Sequence, residues 1–279
     1  MWHDAAALFQ TEPGKTSPSL IPSRIAVVLS AGGLRGAAHL GVLRQLVKLG
    51  LPIDVMVGVS AGAIIAGFYA GAGLTIEEMI ADAPTFLGRH IFMFGLSLRV
   101  PRRVRPLCER FAGVIPVRLR QLEAGRFDQL HHGVSSLAVV CHDQERNHPH
   151  YFSSCRPQGM RLPDVARASA CVPGIFQPKA LKLNGADVRL VDGGLSDALP
   201  VDFTRATLAS THMVVSDCRS TATAAPSTDA NLIYIRPYLG NMKAFRSPCQ
   251  SLLAAVAAGE AAVTPPIQHQ LLSWASQRA

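Results

Sequence analysis

Acidic residues are scarce in this chain. Its 279 residues carry 19 Asp and Glu against 27 Lys and Arg, a formal net charge of +8. That surplus fits nucleic acid, an anionic membrane or a plain basic surface. No nucleic-acid-binding motif accompanies it, so nucleic acid is not an expected partner. The shortage is sharpest at residues 86–105, which hold Arg89, Arg99, Arg102, Arg103 and Arg105 and no acidic residue. Phe92, Met93, Phe94, Leu96 and Leu98 are interleaved with these arginines. The mixture suits peripheral contact with an anionic lipid surface; a solvated face beside a buried core has the same composition.

Other absences narrow the class. The cysteines Cys108, Cys141, Cys155, Cys171, Cys218 and Cys249 form no C-x-x-C pair and no zinc spacing. Reduced thiols in a cytoplasmic protein are expected, with no metal site. Residues 1–23 include Asp4 and Glu12 and lack a basic segment followed by a long apolar run. They read as a flexible N-terminal arm and not as a signal peptide. Residues 55–74 lack charge altogether, and twenty such positions could span a bilayer. Their apolar content is mostly Ala and Gly, and Asp54, Glu77 and Glu78 flank them where basic anchors belong, so no transmembrane segment is expected. Internal repeats and heptads are also absent. A chain this long, 48% apolar, can bury one large core.

What is present begins with Gly58-Val-Ser-Ala-Gly62. This G-x-S-x-G follows a mostly apolar run at 53–57 and opens into the small apolar stretch 61–69. Strand, tight turn and buried helix form the context of a nucleophile elbow. Gly58 and Gly62 leave room for close chain approach, and Ser60 would project at a helix N-terminus that favours developing negative charge. A turn serine without chemistry is the alternative for this pentapeptide alone.

Upstream, Ile25-Ala-Val-Val-Leu29 leads into Ser30-Ala-Gly-Gly-Leu-Arg-Gly36. A helical pattern follows at 37–49, with Leu40, Leu43, Leu46 and Val47 on one face. A phosphate loop needs a Lys-Ser/Thr pair that is missing here, and the glycine spacing is not G-x-G-x-x-G. What remains is a loop whose N–H groups could hold an oxyanion, with a plain glycine turn as the alternative for this segment alone. Arg35 opposes the helix dipole, which implies a specific partner, either a carboxylate or loop-bracing backbone carbonyls. Further on, Leu190-Val-Asp-Gly-Gly194 ends an apolar strand in a sharp turn that presents Asp192, with Gly193 and Gly194 behind it and the apolar Leu190, Val191 and Leu195 expected around its carboxylate; an ordinary Asp-Gly turn is the alternative for this segment alone.

The ordered set S-x-G-G-x-R-G, G-x-S-x-G and D-G-G resembles the patatin-like phospholipases. Ala168-Ser-Ala-Cys-Val-Pro-Gly-Ile-Phe176 looks like that family's A-S-x-x-x-P-G-x-F block, and Asp197-Ala-Leu-Pro-Val201 is similar to the segment after its D-G-G. The resemblance covers residues 25–217, about two-thirds of the chain. It implies a three-layer α/β/α fold with a mostly parallel central sheet. Ser60 is then the nucleophile, Asp192 its base, and Gly32, Gly33, Leu34, Arg35 and Gly36 the oxyanion loop. The family usually has three consecutive glycines where this chain begins with Ala31, which would strain the loop if that position required a positive φ. No histidine is needed: His212 and His269 follow Asp192 but occupy a strand start and the C-terminal region, and His39 fits packing on the first helix.

The implied organisation is an arm at 1–23, a patatin-like catalytic domain at 24–240 with a lid or interfacial insertion at 86–130, and a helical tail at 241–279. The implied activity is hydrolysis of a phospholipid, lysophospholipid or other fatty acyl ester without cofactor. Acyl transfer to another acceptor would use the same acyl-enzyme, and a non-catalytic membrane-binding regulatory module is the alternative outside enzymes. A cytoplasmic or peripheral membrane location goes with either reading.

Overall fold

Every residue of strand β1 (Ile25–Leu29) is buried. Ile25, Val27 and Leu29 join one core while Ala26 and Val28 join another on the opposite face. A strand covered on both faces reads as an unbroken apolar run, the mark of a parallel sheet between helices. The computed structural model describes residues 23–221, 225 and 229–276. The expected arm, apart from Ser23, and most of the Ser/Thr/Ala segment 220–228 lie outside the described residues.

After β1 come α1 (Ala37–Lys48), β2 (Val55–Val59), α2 (Ala61–Ala66) with a π-turn continuing it to Gly71, and α3 (Ile76–Ile80). Three short helices follow, α4 (Gly88–Ser97), α5 (Arg105–Glu109) and α6 (Ile115–Leu122). The chain then forms β3 (Ser136–Asp143), β4 (His148–Ser153), α7 (Leu162–Ser169) and the hairpin β5 (Lys179–Leu183) and β6 (Ala186–Asp192). It closes with α8 (Val201–Thr207), β7 (His212–Ser216), β8 (Leu232–Ile235), α9 (Cys249–Ala262) and α10 (Pro265–Ser276). The uncharged stretch 55–74 is thus divided between a strand, a turn and a short helix. No helix among the described residues is long and apolar enough to cross a membrane.

The eight-stranded sheet is parallel across β3-β2-β1-β7-β8, while β4 and β6 pair antiparallel with β3 and β5 pairs antiparallel with β6. The mostly parallel sheet agrees with expectation. Its two layers are unequal. The larger core packs α1, α2, α7, α9 and α10 on one face, and the smaller packs Val201, Phe203 and Leu208 around α8 on the other.

One expected core position is corrected. Val47 is exposed although Leu40, seven residues earlier on the same face, is buried: Val47 lies in the last turn of α1, beyond the buried residues Ala38–Leu43 and Leu46. The neighbouring face of α1 is occupied by α9. A Cβ on Gly41 would come within 1.9 Å of the Val256 carbonyl oxygen, and one on Gly259 within 2.0 Å of that of Ala38.

Candidate active site

Register on a single strand brings the two motif residues together. β2 pairs with β3 as far as Val59 opposite Val140, and β6 pairs with the same edge of β3 beyond that point, ending with Asp192 opposite Cys141. Two strands running in opposite directions therefore meet end to end beside adjacent residues of β3. Ser60 follows one end and Asp192 is the other. Gly193 permits the meeting, since its Cβ would lie 2.2 Å from the Val140 carbonyl oxygen and 3.1 Å from Val59 Cγ1.

The elbow at Ser60 has φ 55° and ψ −118°, a conformation that costs a non-glycine residue about 1–3 kcal/mol. Close contacts hold it there. A Cβ on Gly58 would sit 2.5 Å from the Gly62 carbonyl oxygen, and one on Gly62 would sit 2.3 Å from that of Leu29. Ser60 N–H donates to Ser169 Oγ at 2.9 Å. Ser169 is fully buried in the A-S-x-x-x-P-G-x-F block and so acts as an anchor for the elbow. No local pattern marks this place for it, because the hydrogen bond that reveals it spans 109 residues.

Ser60 Oγ–H donates to Asp192 Oδ2 at 2.6 Å, the short distance of a hydroxyl on a carboxylate. Asp192 Oδ1 accepts from Gly194 N–H at 2.8 Å, and Asp192 N–H donates to the Cys171 carbonyl at 3.1 Å. The carboxyl pKa is raised by burial, an effect partly offset by the bonds from Ser60 and Gly194. Leu190 and Val191 supply the apolar surroundings, but Leu195, expected to join them, is 58% exposed on the turn after Gly194. No histidine among the described residues bonds to Ser60 or Asp192. His212 begins β7 beside Ser23 and Trp274, and His269 lies on α10.

The glycine loop is braced from far along the chain. Gly33 has φ +57°, and a Cβ there would stand 2.5 Å from the Ala244 carbonyl oxygen. Leu34 N–H donates to that same oxygen at 2.7 Å, and Arg35 N–H donates to the Gly32 carbonyl at 3.2 Å. These two N–H groups are taken up by the 3₁₀ turn Gly33–Gly36 and its support. Of the five residues expected in the oxyanion loop, Leu34 and Arg35 thus have N–H groups already engaged. Gly32 and Gly33 have N–H groups with no acceptor among the described residues, and Ala61 N–H lies at the first turn of α2. Gly36 lies against Ala61, where a Cβ would meet Ala61 Cβ at 2.8 Å.

Arg35 finds its partners among carbonyls and not a carboxylate. Its guanidinium donates to Cys218 O at 2.9 Å, Met242 O at 3.0 Å and Arg219 O at 3.3 Å. Ala31 is not among the positive-φ residues, so its Cβ adds no strain. His39 is a buried brace: one ring nitrogen bonds the Ser30 carbonyl at 3.0 Å and the other Ser216 Oγ at 2.8 Å. Burial lowers its pKa to about 4, keeping it neutral.

A cavity of about 660 Å³ opens over Ser60 and Gly33. Its walls come from α1, α2 and α3 below and from α4 and α6 above. Elsewhere, Asp143, His148 and His150 lie within 4.8 Å of one another. Arg146 Nη1 and the N–H groups of Glu145 and Arg146 already hold the Asp143 carboxylate, which makes this cluster a brace for the β3–β4 turn.

The family model for patatin-like phospholipases matches residues 27–205, more than half of the chain. The chain belongs to this family. Among patatin-like relatives, lysophospholipase NTE1 of Mycosarcoma maydis is 29% identical over 185 residues, which is 63% of this chain and 9% of that protein. Lysophospholipase nte1 of Emericella nidulans is 35% identical over 101 residues, 36% of this chain and 6% of that one. The uncharacterized protein YjjU of Escherichia coli is 29% identical over 192 residues, 64% of this chain and 48% of that one. The match thus spans less than a tenth of the fungal relatives and about half of the bacterial one. Among solved structures, VipD from Legionella pneumophila shares the fold with a TM-score of 0.53 at 14% identity, over 90% of this chain and 67% of that one.

Proposed function

We propose that this patatin-like chain hydrolyses fatty acyl esters of the phospholipid or lysophospholipid class through an acyl-enzyme on Ser60. The observation that carries the reading is the 2.6 Å bond from Ser60 Oγ to a buried Asp192. Burial raises the proton affinity of Asp192, which suits it to accept a proton from an attacking hydroxyl. Ser60 Oγ attacks the ester carbonyl carbon as its proton passes to Asp192 Oδ2. Negative charge moves onto the carbonyl oxygen, where the N–H groups of Gly32, Gly33 and Ala61 are the candidate donors. Collapse breaks the bond to the leaving alcohol, which takes the proton from Asp192. Water then repeats the sequence in reverse roles and releases the fatty acid.

The helices of residues 86–122 serve in this reading as a membrane-facing lid over the cavity. Phe92, Leu96, Leu98, Val104, Leu107 and Phe111 are exposed there, beside exposed Arg89, Arg99, Arg102 and Arg103. An anionic bilayer is the surface that suits both sets. A peripheral location on such a bilayer is part of the same proposal.

The test is turnover of palmitoyl lysolipid by the wild type beside Ser60→Ala and Asp192→Asn. Each variant should lose at least about 10³-fold in kcat, and the double variant should be little worse than either, because the pair acts as a unit. A fluorophosphonate should label Ser60 in the wild type. Near-wild-type turnover by either variant, or labelling at Ser169, would sink the mechanism. Product analysis with an added alcohol separates hydrolysis from acyl transfer.

A further inference from the structure

The cavity has two unlike walls. Leu40, Ile64, Phe68, Met79 and Ile91 form one, an apolar channel; Leu119 belongs with the other, its carbonyl accepting from Arg167 Nη2 at 3.2 Å. Arg167 and Lys179 stand on that second wall, with Gln177 between them in sequence. Ser60 is at the junction, since it leads into the helix that carries Ile64 and Phe68 and is bonded through its N–H to Ser169 at the end of α7. Arg167 lies two residues before that anchor. Lys179 pairs in register with Leu190, two residues before Asp192. The same short elements that position the dyad therefore position both cations.

Their internal partners do not balance them. Glu123 is shared by Arg167 at 2.6 Å and Arg161 at 2.9 Å, and Asp164 by Lys179 at 3.1 Å and Arg161 at 3.9 Å. Three cations share these two carboxylates, so neither Arg167 nor Lys179 has a carboxylate to itself. Arg167 Nε is buried and has no hydrogen-bond partner among the described residues. The Cys171 thiol, whose residue accepts the Asp192 N–H, is pushed up to about 11, chiefly by burial; Lys179 and Arg167 lower it and Asp192 raises it, so all three charges act at one point.

We infer that Arg167 and Lys179 form a subsite for the phosphodiester of the substrate's leaving group. This deepens the hydrolase reading above and rests on it. With the acyl chain in the apolar channel and its carbonyl at Ser60, the alkoxy side of the ester points to the cationic wall. A guanidinium matches phosphate oxygens in pairs, and a nearby ammonium adds charge without geometric demand. The enzyme then selects an acyl ester whose alcohol carries a phosphodiester over a neutral acylglycerol of the same chain length.

The test compares kcat/KM on 1-palmitoyl lysophosphatidylcholine and on 1-palmitoylglycerol, both kept monomeric. The wild type should prefer the phosphodiester. Arg167→Met should cut that preference about tenfold, or about 1.4 kcal/mol, mostly through KM. Lys179→Met should cut it in the same direction and stands in if Arg167→Met does not fold. Glu123→Gln keeps the guanidinium and removes its ion pair, so the preference should survive. A preference unchanged in both cation variants, or lost equally in Glu123→Gln, would overturn the subsite. Inorganic phosphate should bind only weakly without an acyl chain; tight binding that is indifferent to a lipid in the channel would mark a separate anion site and overturn it too. If the wild type cleaves neither ester, the hydrolase reading fails, and calorimetric binding of the two lipids to Ser60→Ala protein still decides the subsite.

Discussion

Removing the Asp192 carboxylate separates catalysis from stability. Its pKa is raised in the folded protein, so the native state holds this proton more tightly than the unfolded chain does. That contribution is present below the ordinary carboxylate pKa and is lost as pH rises through the raised value. Ionised Asp192 therefore weakens the fold at neutral pH. Asp192→Asn keeps an acceptor for Gly194 N–H and carries no charge. It should match or exceed the wild-type Tm at pH 7 while being inactive, and the difference should vanish in acid, below about pH 4. A lower Tm for Asp192→Asn at pH 7 would show that the ionised pair stabilises the fold. Ser169 gives the converse case. Ser169→Ala leaves the buried Ser60 N–H unpaired, at a cost of about 1–3 kcal/mol. It should lower Tm and kcat together, with slower fluorophosphonate labelling that still falls on Ser60.

At the scale of elements, two glycine positions respond in different currencies. Gly33→Val removes a positive-φ residue pressed on Ala244 and misplaces a candidate oxyanion donor. Its kcat should fall by about 2.7–4 kcal/mol of transition-state stabilisation, with KM little changed. Unchanged kcat in a folded variant would make the loop structural only. Ala31→Gly should bring no gain in rate, because Ala31 carries no strain to relieve. Gly41→Ala tests the contact of α1 with α9. In an exposed helix such a change stabilises by about 0.4–1 kcal/mol. Here the new methyl would meet the Val256 carbonyl at 1.9 Å, so the sign should reverse to a loss of about 1–3 kcal/mol in denaturant unfolding.

For the molecule as a whole, the uneven charge should govern where it sits. Exposed Arg102 and Arg103 lie among the exposed apolar side chains of the proposed lid. Each cation near an anionic bilayer contributes about 1 kcal/mol, screened within a Debye length. Arg102→Glu with Arg103→Glu should therefore weaken binding to phosphatidylserine vesicles by more than tenfold at low salt and sparingly at high salt. A soluble short-chain ester should be cleaved as before. Vesicle binding indifferent to both lipid charge and salt would remove the membrane from the reading.

Much of the elbow was legible in the sequence because it is local. An apolar strand, a glycine-flanked serine and a small-residue helix are adjacent in the chain, and the close contacts of Gly58 and Gly62 involve that turn and its neighbour strand. Asp192 was legible for a similar reason, as the last residue of the segment Leu190–Asp192 before a turn whose first glycine, Gly193, has no room for a Cβ. The parallel sheet was legible from strands buried on both faces. Tertiary structure decided what depends on partners distant in sequence. The pairing of β2 and β6 along one edge of β3 sets Ser60 against Asp192, and no local pattern encodes that register. The carbonyl of Ala244 selects which loop N–H groups stay open, and carbonyls at 218, 219 and 242 claim Arg35. Val47 and Leu195 were misread because periodicity and apolar character mark a side chain as able to be buried, while only packing supplies the surface that buries it.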